Sequence, residues 1–294
     1  MVNMKLSFGD KLVSLVIVII MAALSALFVM PFLLVLGSSL LTPAEYAARG
    51  MSFIPKDPTL DTYRILLAGK EIWSAYGVSF FRTLAGTVLN IVVSAMLAYG
   101  IAKRDLPGRT VIITMLFITM IFNGGLIPNY IVVSNLNLTD TIWCMLLPNL
   151  VNVWNVFVLR NFFETVPEAL KEAATIDGAS HGCIFTRVVL PLSKPALATI
   201  SIYYAVAHWN SWFDAAIYLN KRTDLWPLQL IVRKYVQSAD VYSLQSALVG
   251  GAQRPPGMSI KCAVIVLTSL PMLLVYPFLQ KYFVKGVVMG SVKG

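Results

Sequence analysis

Apolar residues are clustered along this chain in long runs, separated by short polar stretches. Six runs reach the roughly 20 residues that a helix needs to cross a hydrocarbon layer: 12–36, 77–102, 110–132, 141–161, 196–218 and 260–284. They predict an all-α, polytopic membrane protein of six transmembrane helices, organised as a single domain over 1–294. The first run is too long for a signal-peptide core and is followed by further runs, so it reads as an anchor. The fourth contains Asn149, Asn152 and Asn155, and the fifth His208, Asn210 and Asp214. Such groups avoid lipid, which predicts that both helices lie inside a bundle.

The polar stretches between the runs set an orientation. Residues 103–109 (KRDLPGR) carry Lys103, Arg104 and Arg109, whereas 124–140 carry no Lys or Arg. Short loops rich in Lys and Arg stay on the cytoplasmic side. Lys5 and Lys11 near the start, and Lys281, Lys285 and Lys293 in the tail, agree with that side. Both termini are therefore expected in the cytoplasm. The loops 37–76 and 219–259 then face outward and hold turn chemistry at Pro55, Pro58 and 253–257 (QRPPG), with room for short helices on the membrane surface.

Composition narrows the class further. Hydrophobic residues make up 57% of the chain and charged ones 13%, against about a quarter charged in a soluble protein. The net charge of +9 is accounted for by basic helix ends. No run of Lys or Arg exceeds two residues, so no nucleic-acid surface is indicated. Cys144, Cys183 and Cys262 are far apart and match neither a disulfide framework nor a zinc spacing, and His181 and His208 add no metal site. No phosphate-cradling glycine loop and no catalytic motif is present. No catalytic residue, metal ligand or cofactor is assigned to the chain.

One polar stretch interrupts the apolar pattern with an organised element: EAATIDGASHGCIFTRVVLP, 172–191, within a helix-turn-helix expected over 164–195. Thr165 and Glu168 have capping-box spacing and Pro167 suits a first turn. From there Glu168, Lys171, Glu172 and Thr175 share one helical face, and Ala169, Leu170, Ala173 and Ile176 the other. Ala173 and Ala174 keep the helix slim. Gly178 permits the left-handed turn that ends it. A second short helix turns Ile184, Phe185 and Val188 to its apolar side, with Pro191 and Pro195 expected to stop it. Two readings of the element stay open on these residues alone: a solvated loop, or a knob presenting its charged face to another protein's cleft.

The stretch resembles the EAA loop of ABC importer permeases, in which E-A-A is followed by D-G-A, an aromatic residue and I-x-L-P. Here the pattern is carried by Glu172, Ala173, Ala174, Asp177, Gly178, Phe185, Leu190 and Pro191, with Val188 in place of the Ile. The segments 123–133 (NGGLIPNYIVV), 208–219 (HWNSWFDAAIYL) and 281–294 (KYFVKGVVMGSVKG) resemble the carbohydrate-uptake subfamily, nearest the aldouronate and complex-oligosaccharide permeases. The resemblance implies a type I ABC importer permease architecture in a bacterial plasma membrane. It implies as partners a second permease, two ATPase subunits that hold ATP and Mg, and an extracytoplasmic solute-binding protein. The residues of the EAA stretch would couple this chain to the ATPase.

A substrate reading attaches to 208–219. Trp209, Trp212 and Phe213 fall at i, i+3 and i+4, and Asn210 with Asp214 form a second i, i+4 pair. An interfacial aromatic belt accounts for the rings but not for the amide and carboxylate, so a saccharide pathway is the competing reading. Downstream, Lys221, Arg222, Arg233, Lys234 and Arg254 outnumber Asp224 and Asp240. That excess suits an acidic, uronate-rich oligosaccharide, or equally an acidic binding protein. A secondary, ion-coupled transporter is the alternative function class. It calls for ionisable groups deep in several spans, and the chain offers chiefly Asp214, His208 and Arg82. A membrane enzyme needs a convergent acid, base or metal set, which the sequence does not assemble.

Overall fold

The computed structural model describes residues 8–237 and 257–291, with side chains over 9–237 and 257–275. Lys5, Asp240, Arg254, Lys293 and most of the expected 253–257 turn lie outside the described residues. The regular elements of the described residues are all helices, with no strand among them. The elements are α1 (Phe8–Ser39), α2 (Pro43–Arg49), α3 (Asp61–Ala68), α4 (Lys70–Ala102), α5 (Arg109–Ile121), α6 (Leu126–Asn135), α7 (Val153–Glu164), α8 (Glu168–Ile176), α9 (His181–Ile184), α10 (Leu190–Leu192), α11 (Lys194–Asn210), α12 (Phe213–Tyr218) and α13 (Gly257–Ser291). Residues 228–237 are also helical.

The all-α membrane class holds, but the expected spans are not all straight helices. Among the described residues three helices are long and apolar enough to cross a membrane: Gly9–Ser39, Lys70–Ala102 and Gly257–Val275. The third expected span is α5 and α6, bent by 115°. Its joint is the Asn-Gly-Gly turn, where Gly125 takes φ +85° and donates its N–H to Asn123 Oδ1 at 2.9 Å. The fourth is a 3-10 turn (Ile142–Met145), an irregular stretch with Pro148, and then α7, which Asn152 caps by accepting Asn155 N–H at 3.1 Å. Proline lacks an N–H donor and disfavours helix in the residue before it, which explains the interruption. The fifth is α11, a break at Ser211 and Trp212, and α12.

The chain divides into two compact units, Met1–Gly69 with Val232–Leu270, and Lys70–Ile231 with Pro271–Gly294. In the first, no residue of the apolar stretch of α1 is buried among the described residues. Its end is fixed by Gly37, where a Cβ would lie 2.5 Å from the Ser52 carbonyl oxygen. The loop beyond folds around one carboxylate. Glu45 accepts Lys56 N–H at 2.8 Å, Asp57 N–H at 3.4 Å and Arg49 Nη1 at 2.9 Å. The Lys56 amide is the main reason its carboxyl lies below the usual range; burial pushes the other way and only partly offsets it. Short helices were expected in this loop, and α2 and α3 are two of them.

In the second unit α4 is the central element, with α11 and α7 packed along it. Ala95, Ala98 and Ala102 keep that face of α4 thin, so neighbouring backbones approach closely. Ala98, Val156, Leu159, Val189 and Ile200 are fully buried in the core this creates. A smaller core gathers Val133, Cys144, Met145, Ala215 and Leu219 around α12.

Candidate functional site

The 164–195 stretch folds as two short helical segments joined by a closed turn. Gly178 has φ +79°. Its N–H donates to Thr175 O at 3.0 Å and Ala179 N–H to Ala174 O at 2.9 Å. This bonding pattern ends α8 through a left-handed residue. Ser180 then caps α9 by accepting Cys183 N–H at 3.4 Å. The expected capping box does not form. Thr165 instead closes α7, donating its hydroxyl to Phe162 O at 2.7 Å, and Glu168 pairs with Lys171 at 3.0 Å.

Pro191 does not stop the second segment. The helix runs on to Leu192 through a π turn, Phe185–Val189, and bends by 83° into α11 only after that. The widened turn follows from the proline. Pro191 has no N–H and its ring crowds the preceding turn; shifting the bonding so that Leu190 N–H donates to Phe185 O accommodates both. One residue is thereby inserted, and Ile184 and Val189, five apart, both point into the core at 3% and 0% exposure.

No residue of α8 is buried: the charged face keeps Glu168, Glu172 and Thr175 exposed, and large apolar side chains stand exposed as well. Glu168, Lys171, Glu172 and Thr175 line a cavity of about 660 Å³ shared with Tyr99, Lys103, Arg104 and His181. Leu170 is 47% exposed, and Ile176, at the cavity rim, is 86% exposed. Ala173 and Asp177 are also exposed, while Ala174 and Ala179 pack on the core. The core beneath takes only small side chains at this point, so the larger apolar ones face out. Phe185 stacks near Tyr99 at 4.9 Å and meets Phe163 edge-on at 6.5 Å. Leu190 packs on the same core. Arg109, counted in the sequence only as a loop charge, ties three helix ends together. Its Nε donates to Ile101 O at 2.9 Å and its Nη2 to Glu164 Oε1 at 2.5 Å, and Arg160 shares that carboxylate at 2.9 Å.

A second constellation lies along α4. Arg82, Gly86, Asn90 and Ser94 recur every four residues and are all buried. Each meets a polar partner or makes room for one. Arg82 pairs with Asp214, with Nη1 to Oδ1 at 3.1 Å, and Nη1 also donates to Ser211 O at 3.2 Å. Asn90 donates to Asn149 O at 2.9 Å, so its carbonyl oxygen faces His208 Nε2 at 3.1 Å. The imidazole occupies the space left by Gly86. Ser94 and the Tyr204 hydroxyl are 2.7 Å apart, and that hydroxyl accepts Asn152 N–H at 3.2 Å. The sequence reading missed this seam, although small and polar residues at every fourth position of an apolar run were its visible sign.

The seam corrects the aromatic stripe. Because the chain is extended at Ser211, Trp209 and Asn210 do not share a helical face with Trp212, Phe213 and Asp214. Trp209 is buried against Phe80, ring centroids 5.3 Å apart. Asn210 is exposed, and Trp212 meets Phe213 edge-on at 5.5 Å. Phe213 and Asp214 alone of the five line a cavity of about 620 Å³, together with Asn123, Asn129, Asn149 and Tyr218. In the loop beyond, Arg222 forms a two-bond pair with Asp224 at 2.8 Å. Among the described residues no cluster of His, Cys, Asp and Glu is built to hold a metal.

No family model matches the chain. Individual relatives do, over nearly its whole length. The polygalacturonan/rhamnogalacturonan transport system permease protein YtcP of Bacillus subtilis (strain 168) is 41% identical over 266 residues, 90% of this chain and 93% of that one. The same organism's protein LplC is 40% identical over 277 residues, 94% of this chain and 93% of its own. A crystal structure of a bacterial ABC transporter involved in the import of the acidic polysaccharide alginate contains a chain that superposes with a TM-score of 0.84 at 30% identity, covering 94% of this chain and 98% of that one. The chain belongs to the ABC transporter permeases.

Membership in the ABC permeases decides against the ion-coupled transporter. The charges that had kept that alternative open, Arg82 and Asp214, form an ion pair in this permease. The 164–195 stretch sits between α7 and α11 and leaves Leu170 and Ile176 exposed.

Proposed function

We propose that this permease is the membrane subunit of an ATP-driven bacterial importer carrying a uronate-rich oligosaccharide delivered by an extracytoplasmic binding protein. A second permease completes the pathway, and two ATPase subunits hold ATP and Mg. The chain itself catalyses no reaction and binds no cofactor. It crosses the plasma membrane six times, with both termini and the 164–195 stretch in the cytoplasm.

The observation that carries the coupling role is a pair of bare apolar side chains on α8. Leu170 and Ile176 stand exposed on a helix whose end is locked by Gly178. Large apolar side chains held out on an ordered element favour a partner that covers them. ATP binding closes the ATPase dimer, α8 moves with the cleft that grips it, and the permease pair shifts from inward-facing to outward-facing. Glu172 pairs with a basic residue at the cleft edge. Ala173 and Ala174 let the cleft close on a thin helix, Asp177 and Gly178 set the turn, and Phe185, Leu190 and Pro191 transmit the motion to α11.

For the substrate, support comes from the relatives named for polygalacturonan and for the acidic polysaccharide alginate. Phe213 and Asp214 form the pathway wall, with Trp209, Asn210 and Trp212 flanking it. The test is purification of the assembled complex carrying Leu170→Asp and Ile176→Asp. The ATPase subunits are expected to be lost while the two permeases stay paired. ATPase retained at wild-type stoichiometry would overturn the coupling role.

A further inference from the structure

We propose that the Arg82–Asp214 pair sets the charge of the transport pathway, and so determines how this permease treats acidic against neutral oligosaccharides. The inference rests on reading the 620 Å³ cavity as pathway. Asp214 is the one carboxylate among the residues lining that cavity, and no lysine or arginine lines it. The rest of its polar wall is amide and phenol, from Asn123, Asn129, Asn149 and Tyr218. These groups donate to and accept from sugar hydroxyls without carrying charge. Phe213, 49% exposed, adds an aromatic ring.

Alone, Asp214 would make this wall anionic. The other lining residues include Leu126, Val132, Leu147 and Pro148, and walls of that kind screen poorly, so a sugar carboxylate would be repelled well beyond contact. Arg82 removes the repulsion from within the protein. It is 1% exposed and is not part of the wall, so it neutralises Asp214 without itself offering a cation that would hold the substrate. An acidic oligosaccharide then meets neither a barrier nor a trap, and conduction requires both. Without Arg82 the carboxylate keeps two other donors, Ser211 Oγ at 3.1 Å and Ala215 N–H at 2.8 Å, and faces a cavity open to water.

The experiment is uptake by the complete complex in proteoliposomes, using two probes of one chain length: tetragalacturonate and its fully methyl-esterified, uncharged form. The ratio of their initial rates is the readout. Arg82→Gln is expected to lower the acidic-to-neutral ratio about tenfold, Asp214→Asn to raise it, and the double variant, which has no charge, to return it to the wild-type value. An equal loss of both probes in Arg82→Gln, or a double variant that does not restore the ratio, overturns the proposal. Where Arg82→Gln fails to assemble, Asp214→Asn decides, an unchanged ratio overturning it. A wild-type complex that carries neither probe overturns the proposed substrate, and this inference with it.

Discussion

Gly86 on α4 and His208 on α11 fit together as a socket and its occupant: a Cβ at Gly86 would lie 2.6 Å from the imidazole Cε1. The ring is held there by its Nε2 contact to Asn90, and the α4–α11 packing is the principal helix pairing of the second unit. Gly86→Ala is therefore expected to destabilise the permease by about 1–3 kcal/mol, the usual result of overpacking. Thermal unfolding in detergent measures this. A Gly86→Ala/His208→Ala double variant should recover part of the loss, and a single variant as stable as wild type would show that the helices can separate freely at this point.

Gly178 tests the turn that ends α8. With φ +79°, a β-branched residue there is strained by roughly 1–2 kcal/mol. Gly178→Val should leave membrane insertion intact and reduce ATPase stimulation by loaded binding protein in the reconstituted complex. Gly178→Asn, which tolerates the left-handed region better, should keep more of it. Equal stimulation in all three proteins would separate the turn from coupling.

Glu172 tests which side of α8 matters more. It is exposed at the cavity edge, where charge interactions with a partner are weak and screened, whereas Leu170 and Ile176 offer apolar area. Glu172→Lys is expected to lower ATPase stimulation while the ATPase still co-purifies, in contrast to the loss expected from the two apolar substitutions. Dissociation on Glu172→Lys alone would put the charged face at the centre of the interface.

Glu45 gives a pH dependence with a definite sign. Its carboxyl titrates below 4.5 in the folded chain because the Lys56 amide, above all, donates to the ionised form. A lowered carboxyl pKa contributes stability that is present above the unfolded value and is lost as pH falls through the folded one. Hydrogen exchange at the Lys56 and Asp57 amides should therefore be slower in the wild type than in Glu45→Ala at neutral pH. The difference should shrink on acidification below about 4.5. A difference independent of pH would mean that packing, not the carboxylate, closes this loop.

The orientation is tested by labelling with an impermeant thiol reagent in a background without the native cysteines. Asp105→Cys, in the basic loop after α4, should be shielded from reagent added outside. Ile54→Cys, 78% exposed in the first long loop, should react. The reverse pattern would put α8 on the wrong side of the membrane for an ATPase.

Much of this was legible in one dimension because it depends on local chemistry. Run length gave the membrane class. The glycine after Asp177 gave the turn, since the left-handed region is cheap for glycine alone. The spacing from Glu172 to Pro191 gave the family resemblance. What tertiary structure decided is where periodicity stops. Asn-Gly-Gly at 123–125 and Ser211–Trp212 look harmless inside apolar runs, yet each breaks a helix, and the second break separates the expected aromatic stripe. The Arg82–Asp214 pair joins residues 132 apart in sequence, and nothing local specifies that they meet. It exists because α4 packs closely along α11 and the chain break that leads into α12, where each charge is largely buried and would be costly without the other. The exposure of α8 was decided in the same way. The sequence shows that the helix is amphipathic, and only the core beneath, which takes Ala174 and Ala179, determines that Leu170 and Ile176 are left bare beside the charged residues.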